Sequence, residues 1–222
     1  MKKINHSLAA AMTVASLGVA SLPAQSFEFF LDVEGSFDSQ LSVGSSWRLN
    51  DADPELLKTG NNNDGNANFE KGDAFSQILK GNHTLQLRVG DSGVYLSGKY
   101  WHDFALEDNS VLHGHSSNGF QSDEKLNDKN FNDLSKFSGA ALLDAYVYSF
   151  YEFGEVPVDV RLGRQVVSWC ESTFILGGVN SINPVDVNAF RRPGAEIKEG
   201  LLPVNMAYAN LGLTENLSAE VF

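Results

Sequence analysis

Ser36-Phe37-Asp38-Ser39-Gln40-Leu41-Ser42-Val43-Gly44-Ser45-Ser46-Trp47-Arg48-Leu49 alternates between two kinds of side chain along its whole length. Phe37, Leu41, Val43, Trp47 and Leu49 share one parity with Ser39 and Ser45, while Asp38, Gln40, Arg48 and small residues take the other. Successive side chains of a strand point to opposite faces, so this pattern predicts a strand with one apolar and one polar side. Six further runs read as strands: 84–89, 94–104, 140–151, 158–169, 204–211 and 217–222. Leu85, Leu87 and Val89 oppose Thr84, Gln86 and Arg88, and Val158, Val160 and Leu162 oppose Asp159 and Arg161. Continued parity would set Arg164 on the apolar side, so Gly163 is expected to mark a bulge or twist that turns Arg164 inward.

The connectors alternate in length. The stretches 50–82, 105–138 and 170–202 are long and polar, whereas Gly90-Asp91-Ser92-Gly93, Phe153–Pro157 and Gly212–Asn216 are short. An antiparallel barrel of the bacterial outer membrane has this layout, with short turns at one end and long loops at the other. The fold expected is therefore all-β, an antiparallel transmembrane β-barrel of outer-membrane type. Seven strands is an odd number, and Ser218 and Glu220 are polar where the face of Phe222 should be apolar. The expectation is an incomplete barrel, the N-terminal part of a larger one.

Lys2 and Lys3 precede an apolar stretch from Leu8 to Leu22, and Ala24-Gln25-Ser26 supplies a small-residue cleavage site. Residues 1–26 have the form of a secretory signal peptide, leaving 27–222 as the barrel portion and the outer membrane as destination. Losing the two lysines takes the formal charge from −12 to −14, which argues against a nucleic-acid partner. The partners expected are outer-membrane lipid and a small-molecule solute; oligomeric state is left open. Cys170 stands alone, so no internal disulfide framework or cysteine-rich metal site is available.

The third long connector is the most distinctive. Asn183-Pro184 offers an N-cap and a first-turn proline, with Asp186 at N3; Arg191 and Arg192 fall in a last turn closed by Pro193-Gly194. The spacing predicts a helix over 184–192. The connector either folds into the lumen and narrows the pore, or caps the barrel outside with its cations paired to Glu171, Glu196 and Glu199. Inward-facing polar groups set the charge selectivity of a channel. The candidate pore-lining residues are Arg48, Arg88, Lys99, Asp144, Arg161, Arg164, Arg191 and Arg192, with Asp38, Gln40 and Gln86 also facing inward. Leu41, Val43, Leu85, Leu87 and Val160 are expected to face lipid.

Arg161-Leu162-Gly163-Arg164-Gln165-Val166-Val167-Ser168-Trp169, Gly177-Gly178-Val179-Asn180-Ser181-Ile182-Asn183-Pro184, Phe190-Arg191-Arg192-Pro193-Gly194 and Leu201-Leu202-Pro203-Val204 carry a more specific signal. Together they resemble the proteobacterial family catalogued as domain of unknown function 1302. The resemblance implies an outer-membrane barrel, in some members associated with the breakdown or movement of hydrophobic compounds, and no established catalytic residues. On that basis Trp101, Tyr146 and Tyr148 are candidate contacts for a hydrophobic solute. Cys170 departs from the family pattern, where Gly is expected after the Trp.

Other chemistry is weakly supported. Asn62, Asp64, Gly65 and Asn66 echo a calcium loop, but Gly60 and Lys71 stand where acids are required. His113-Gly114-His115 lacks a third ligand. A barrel-embedded hydrolase would need Ser172 or Ser181 with His102, His113 or His115, and no nucleophile-elbow pattern accompanies them. A structural or adhesive surface protein is the remaining alternative. The reading is a channel or transport protein, not an enzyme, with no cofactor and no metal.

Overall fold

A computed structural model describes residues 14–15, 19–29, 33–51, 53, 68–113, 121–167 and 182–222. Its strands are β1 (Val14–Ala15), β2 (Val19–Phe29), β3 (Val33–Trp47), β4 (Ala74–Val89), β5 (Ser92–Asp103), β6 (Ser110–His113), β7 (Gln121–Lys125), β8 (Ser138–Phe153), β9 (Val156–Gln165), β10 (Val204–Thr214) and β11 (Leu217–Val221). Nine of them form one antiparallel sheet, in which β1 and β2 pair with β3 and the order continues β4, β5, β8, β9, β10, β11. The remaining pair, β6 and β7, makes a small hairpin inside the second long connector, after a short helix α1 (Phe104–Glu107). The seven strands read from the sequence are all present, each beside its sequence neighbour.

The connector rhythm follows from this order. Gly90-Asp91 and Gly154-Glu155 are two-residue turns at one end of the sheet, and both glycines have positive φ (56° and 68°). Gly adopts that conformation without a Cβ penalty. All three long connectors leave from the opposite end. No helix among the described residues is long and apolar enough to cross a membrane, which says nothing about crossing by strands.

Cross-strand register divides the sheet into two faces. The row Ser36–Gln86–Tyr95–Tyr146 and the row Glu34–Arg88–Gly93–Tyr148–Arg161–Tyr208 lie on the polar face. The row Phe37–Leu85–Leu96–Ala145 lies on the other, where Val43, Leu142 and Leu162 are 55, 56 and 62% exposed. Glycines let large rings lie flat on the sheet: a Cβ at Gly81 would meet the Tyr100 ring at 2.5 Å, and one at Gly139 would meet Trp101 at 2.7 Å.

Two boundaries and one expected bulge differ from the sequence reading. β4 starts at Ala74 rather than Thr84, because Gly81-Asn82, which resembles a turn, runs straight through the ladder under the Tyr100 ring. β9 ends at Gln165 rather than Trp169; beyond it the Val166 and Val167 amides donate to Asp144 Oδ1 (3.1 Å) and Asn183 Oδ1 (3.0 Å) instead of a strand. Gly163 is irregular, with φ 136°, yet neither neighbouring ladder shifts register there. Arg164 stays exposed on the row of Leu96 and Ala145, so the expected inward turn is not what the backbone does.

Candidate functional site

The polar face carries a segment folded across it, residues 182–203, referred to below as the latch. Val185 and Leu201 form an antiparallel bridge, with Asp186 N donating to the Gly200 carbonyl (2.8 Å) and Leu202 N to that of Pro184 (2.8 Å). This closes a loop containing two short helices, α2 (Val187–Arg191) and α3 (Ile197–Gly200). The bridge holds Val185 extended, so helix starts later than the expected 184. Asp186 is the N-cap, accepting from Asn188 N (3.1 Å) and Ala189 N (3.2 Å). Asn183, expected to cap, instead ties the base of the latch to β9: besides accepting from Val167 N, its amide donates to Leu202 O (2.9 Å) and Gln165 O (3.4 Å).

Two strand lysines hold the latch down. Lys80 Nζ donates to Glu199 Oε1 (2.7 Å), Glu199 Oε2 (2.9 Å) and the Gly194 carbonyl (2.5 Å). Lys99 Nζ donates to Asp186 Oδ2 (3.1 Å) and the Glu199 carbonyl (2.8 Å). All four side chains are buried, so each charge depends on its partner for solvation. Pro193 sits against Gly44 of β3, where a Cβ would lie 2.6 Å from the proline ring. Gln40 donates to Glu196 from the same strand.

Arg192 completes the seam. Its guanidinium lies 4.0 Å from the ring centre of Trp101 and donates to the Leu134 carbonyl at 2.8 Å. Burial, the largest effect, pushes its pKa down, and the carboxylates of Asp186, Glu199 and Asp103 oppose that shift. Trp101 is 3% exposed and donates Nε1–H to Lys136 O (2.9 Å), which draws the second long connector into the assembly. Asn188 of α2 donates to Ser135 Oγ (2.7 Å) in the same neighbourhood.

Towards the short turns the polar face becomes aromatic. Tyr95 and Tyr146 stack with ring centres 5.0 Å apart, and Tyr148 accepts from Gln86 Nε2 (2.7 Å) while covering Gly93. Arg161 pairs with Asp159 at 2.9 Å and lies 5.9 and 5.0 Å from the rings of Tyr146 and Tyr208.

Of the candidate lining residues, Lys99 and Arg192 meet at Trp101, and Asp144 and Arg161 lie on the same face further down. Arg48 instead serves the first connector, donating to Phe69 O (2.7 Å) and Asn50 O (3.0 Å). Arg88 donates to the Gly90 carbonyl at the tight turn (2.7 Å), and Arg191 is exposed on α2. One of the two alternatives read from the sequence paired the loop's cations with nearby acids; the contacts run the other way, from strand lysines to latch carboxylates. Lys80 escaped notice because 74–82 read as loop, and a strand starting at Ala74 would have set Lys80 facing inward beside Asn82. Among the described residues no group of His, Cys, Asp and Glu could hold a metal ion. Cys170, Ser172, Ser181, His115 and the 60–67 part of the calcium-like stretch lie outside the described residues.

The profile of the family described as "Protein of unknown function (DUF1302)" matches residues 7–222, and the chain belongs to that family. No curated protein and no solved structure matches.

Proposed function

We propose that this member of the DUF1302 family is an outer-membrane β-barrel protein whose polar face lines a solute path and whose latch narrows it. One observation carries the reading: a single antiparallel sheet exposes an apolar face on one side and, on the other, holds a long connector by buried ion pairs. A water-soluble sheet protein would bury that apolar face, since large exposed apolar patches mark contact with membrane or partner. A bilayer satisfies it, and outer-membrane barrels alternate apolar-out with polar-in along each strand. A connector folded inward onto polar rows is what a constriction requires.

The amino-terminal segment supports export on the sequence alone, through a leader ending at Ser26, whose removal would take β1 and most of β2 off the edge of the sheet. The short turns would then face the periplasm and the long connectors the exterior. Planar-bilayer recording of the full-length protein tests it: discrete conductance steps are expected, and silence across salts and voltages overturns the channel reading.

A further inference from the structure

Beneath the latch the polar face holds a recess of about 510 Å³. That is within the usual size of small-molecule sites. Its walls come from three adjacent strands and the start of β8: Asp38, Asn82, Thr84, Gln86, Tyr95 and Asp144 are the side chains used below. A β-bulge shapes it. The β5–β8 register jumps between Leu96 and Gly98, so Leu143 and Asp144 together face Ser97. Bulges re-aim side chains, and this one brings the Asp144 carboxylate onto Ser97, whose hydroxyl donates to Asp144 Oδ2 at 2.8 Å. Ser97 Oγ in turn accepts from Asp144 N at 2.9 Å.

The charge balance changes row by row down this face. In the row at the upper rim of the recess Lys99 is matched by Asp186, and in the row above it Lys80 is matched by Glu199. In the row Asp38–Thr84–Ser97, with Asp144 opposite, there are two carboxylates and no lysine or arginine. The next row, Ser36–Gln86–Tyr95–Tyr146, is neutral. Below it Arg161 is occupied by Asp159, Arg88 donates to the Gly90 carbonyl, and Glu34 adds another acid. No lysine or arginine lines the recess, and its one imidazole, His83, is hydrogen-bonded through Nδ1 to Ser39 Oγ at 2.8 Å. Asp38 makes no side-chain hydrogen bond or ion pair among the described residues.

We propose that this recess binds a small organic cation of the amine class, with Asp38 on one wall and Asp144 on the opposite one, so that a diamine can present one ammonium group to each. Asn82, Thr84 and Gln86 supply neutral hydrogen-bonding groups, and Tyr95 an aromatic wall backed by Tyr146. Asp38 is exposed and Asp144 half-buried; carboxylates with no protein cation beside them favour a charged donor over a neutral polyol, because charge-assisted hydrogen bonds are the stronger kind. The proposal rests on reading the polar face as a solute path, and it names what that path prefers.

The probe is 1,4-diaminobutane, with glucose as the neutral control and inorganic phosphate as the anionic one. Calorimetric titration into the detergent-solubilised full-length protein should show diamine binding and none of the controls. Asp38→Asn, which removes no described structural contact, should weaken it about tenfold, the loss of one charge-assisted contact. Asp144→Asn should weaken it too, although Asp144 also holds the Val166 amide. In bilayers the diamine should reduce the conductance of the wild type and spare that of Asp38→Asn. Absence of diamine binding, equal binding by Asp38→Asn, or tighter binding of glucose or phosphate overturns the site. Conductance without diamine binding leaves the channel standing and removes the site; binding without conductance does the reverse.

Discussion

Glu199 on the latch and Lys80 on β4 meet with both carboxylate oxygens within hydrogen-bonding distance of one ammonium, their side chains 5 and 3% exposed. Breaking such a pair by removing one partner leaves a buried charge without compensation. The cost is typically about 3–5 kcal/mol, whereas replacing both partners with apolar groups of similar size is often neutral. Lys80→Met is therefore expected to free the latch, seen as protease cleavage within 182–203 while the sheet stays folded. Lys80→Met with Glu199→Met should return to wild-type resistance. Equal cleavage of the single and double variants would mean that the pair does not hold the segment.

Arg192 against Trp101 is a separable contact of the same seam. A desolvated cation over an indole contributes about 0.5–2 kcal/mol. A double-mutant cycle on Arg192→Lys and Trp101→Leu should return a coupling in that range, read from latch protection against hydrogen exchange. Additive effects would mean that packing alone, without the stacked geometry, accounts for both residues.

Gly44 and Gly163 should respond differently to alanine. At Gly44 the added methyl presses on Pro193, an overpacking worth about 1–3 kcal/mol, and it should loosen the latch without affecting the strands. At Gly163 the methyl runs into the Ala145 carbonyl from a backbone with φ 136°, so the sheet itself should suffer. Positive φ at a non-glycine residue adds about 1–3 kcal/mol of strain. Guanidinium unfolding of the full-length protein in vesicles separates the outcomes: Gly163→Ala shifts the midpoint, and Gly44→Ala changes proteolysis first.

Leu162, 62% exposed on the apolar face, distinguishes bilayer from water. Leu162→Arg should cost about 2–4 kcal/mol if the position sits near the bilayer midplane, against at most about 0.5 kcal/mol for an ordinary wet surface. Refolding into lipid vesicles measures it directly. A neutral result would argue against lipid at that face.

The strand order and the two faces were legible because period-two alternation survives wherever one side must differ from the other. Phe37 to Trp47 and Leu85 to Val89 display it openly. The alternation fails at Lys80-Gly81-Asn82, where a glycine needed for the Tyr100 ring imitates a turn and hides ten residues of β4. The latch was visible as a capped, basic, proline-bounded segment. Its partners were not, since pairing Lys80 with Glu199 depends on how a loop lies on a sheet, which no local pattern encodes. Asn183 misled for a related reason: its side chain suits a helix cap, but a cross-chain bridge at Val185 claimed the backbone.

The nearest-neighbour strand order also bears on assembly. Each hairpin of the sheet can zip onto the one before it, because every ladder from β3 to β11 joins consecutive members of the series. Local pairings of that kind form early, while contacts distant along the chain wait for loop closure. Lys80 and Lys99 find their carboxylates 119 and 87 residues downstream. Both lysines must remain hydrated until those residues arrive, so the polar face is built open and the latch is the last part to settle on it.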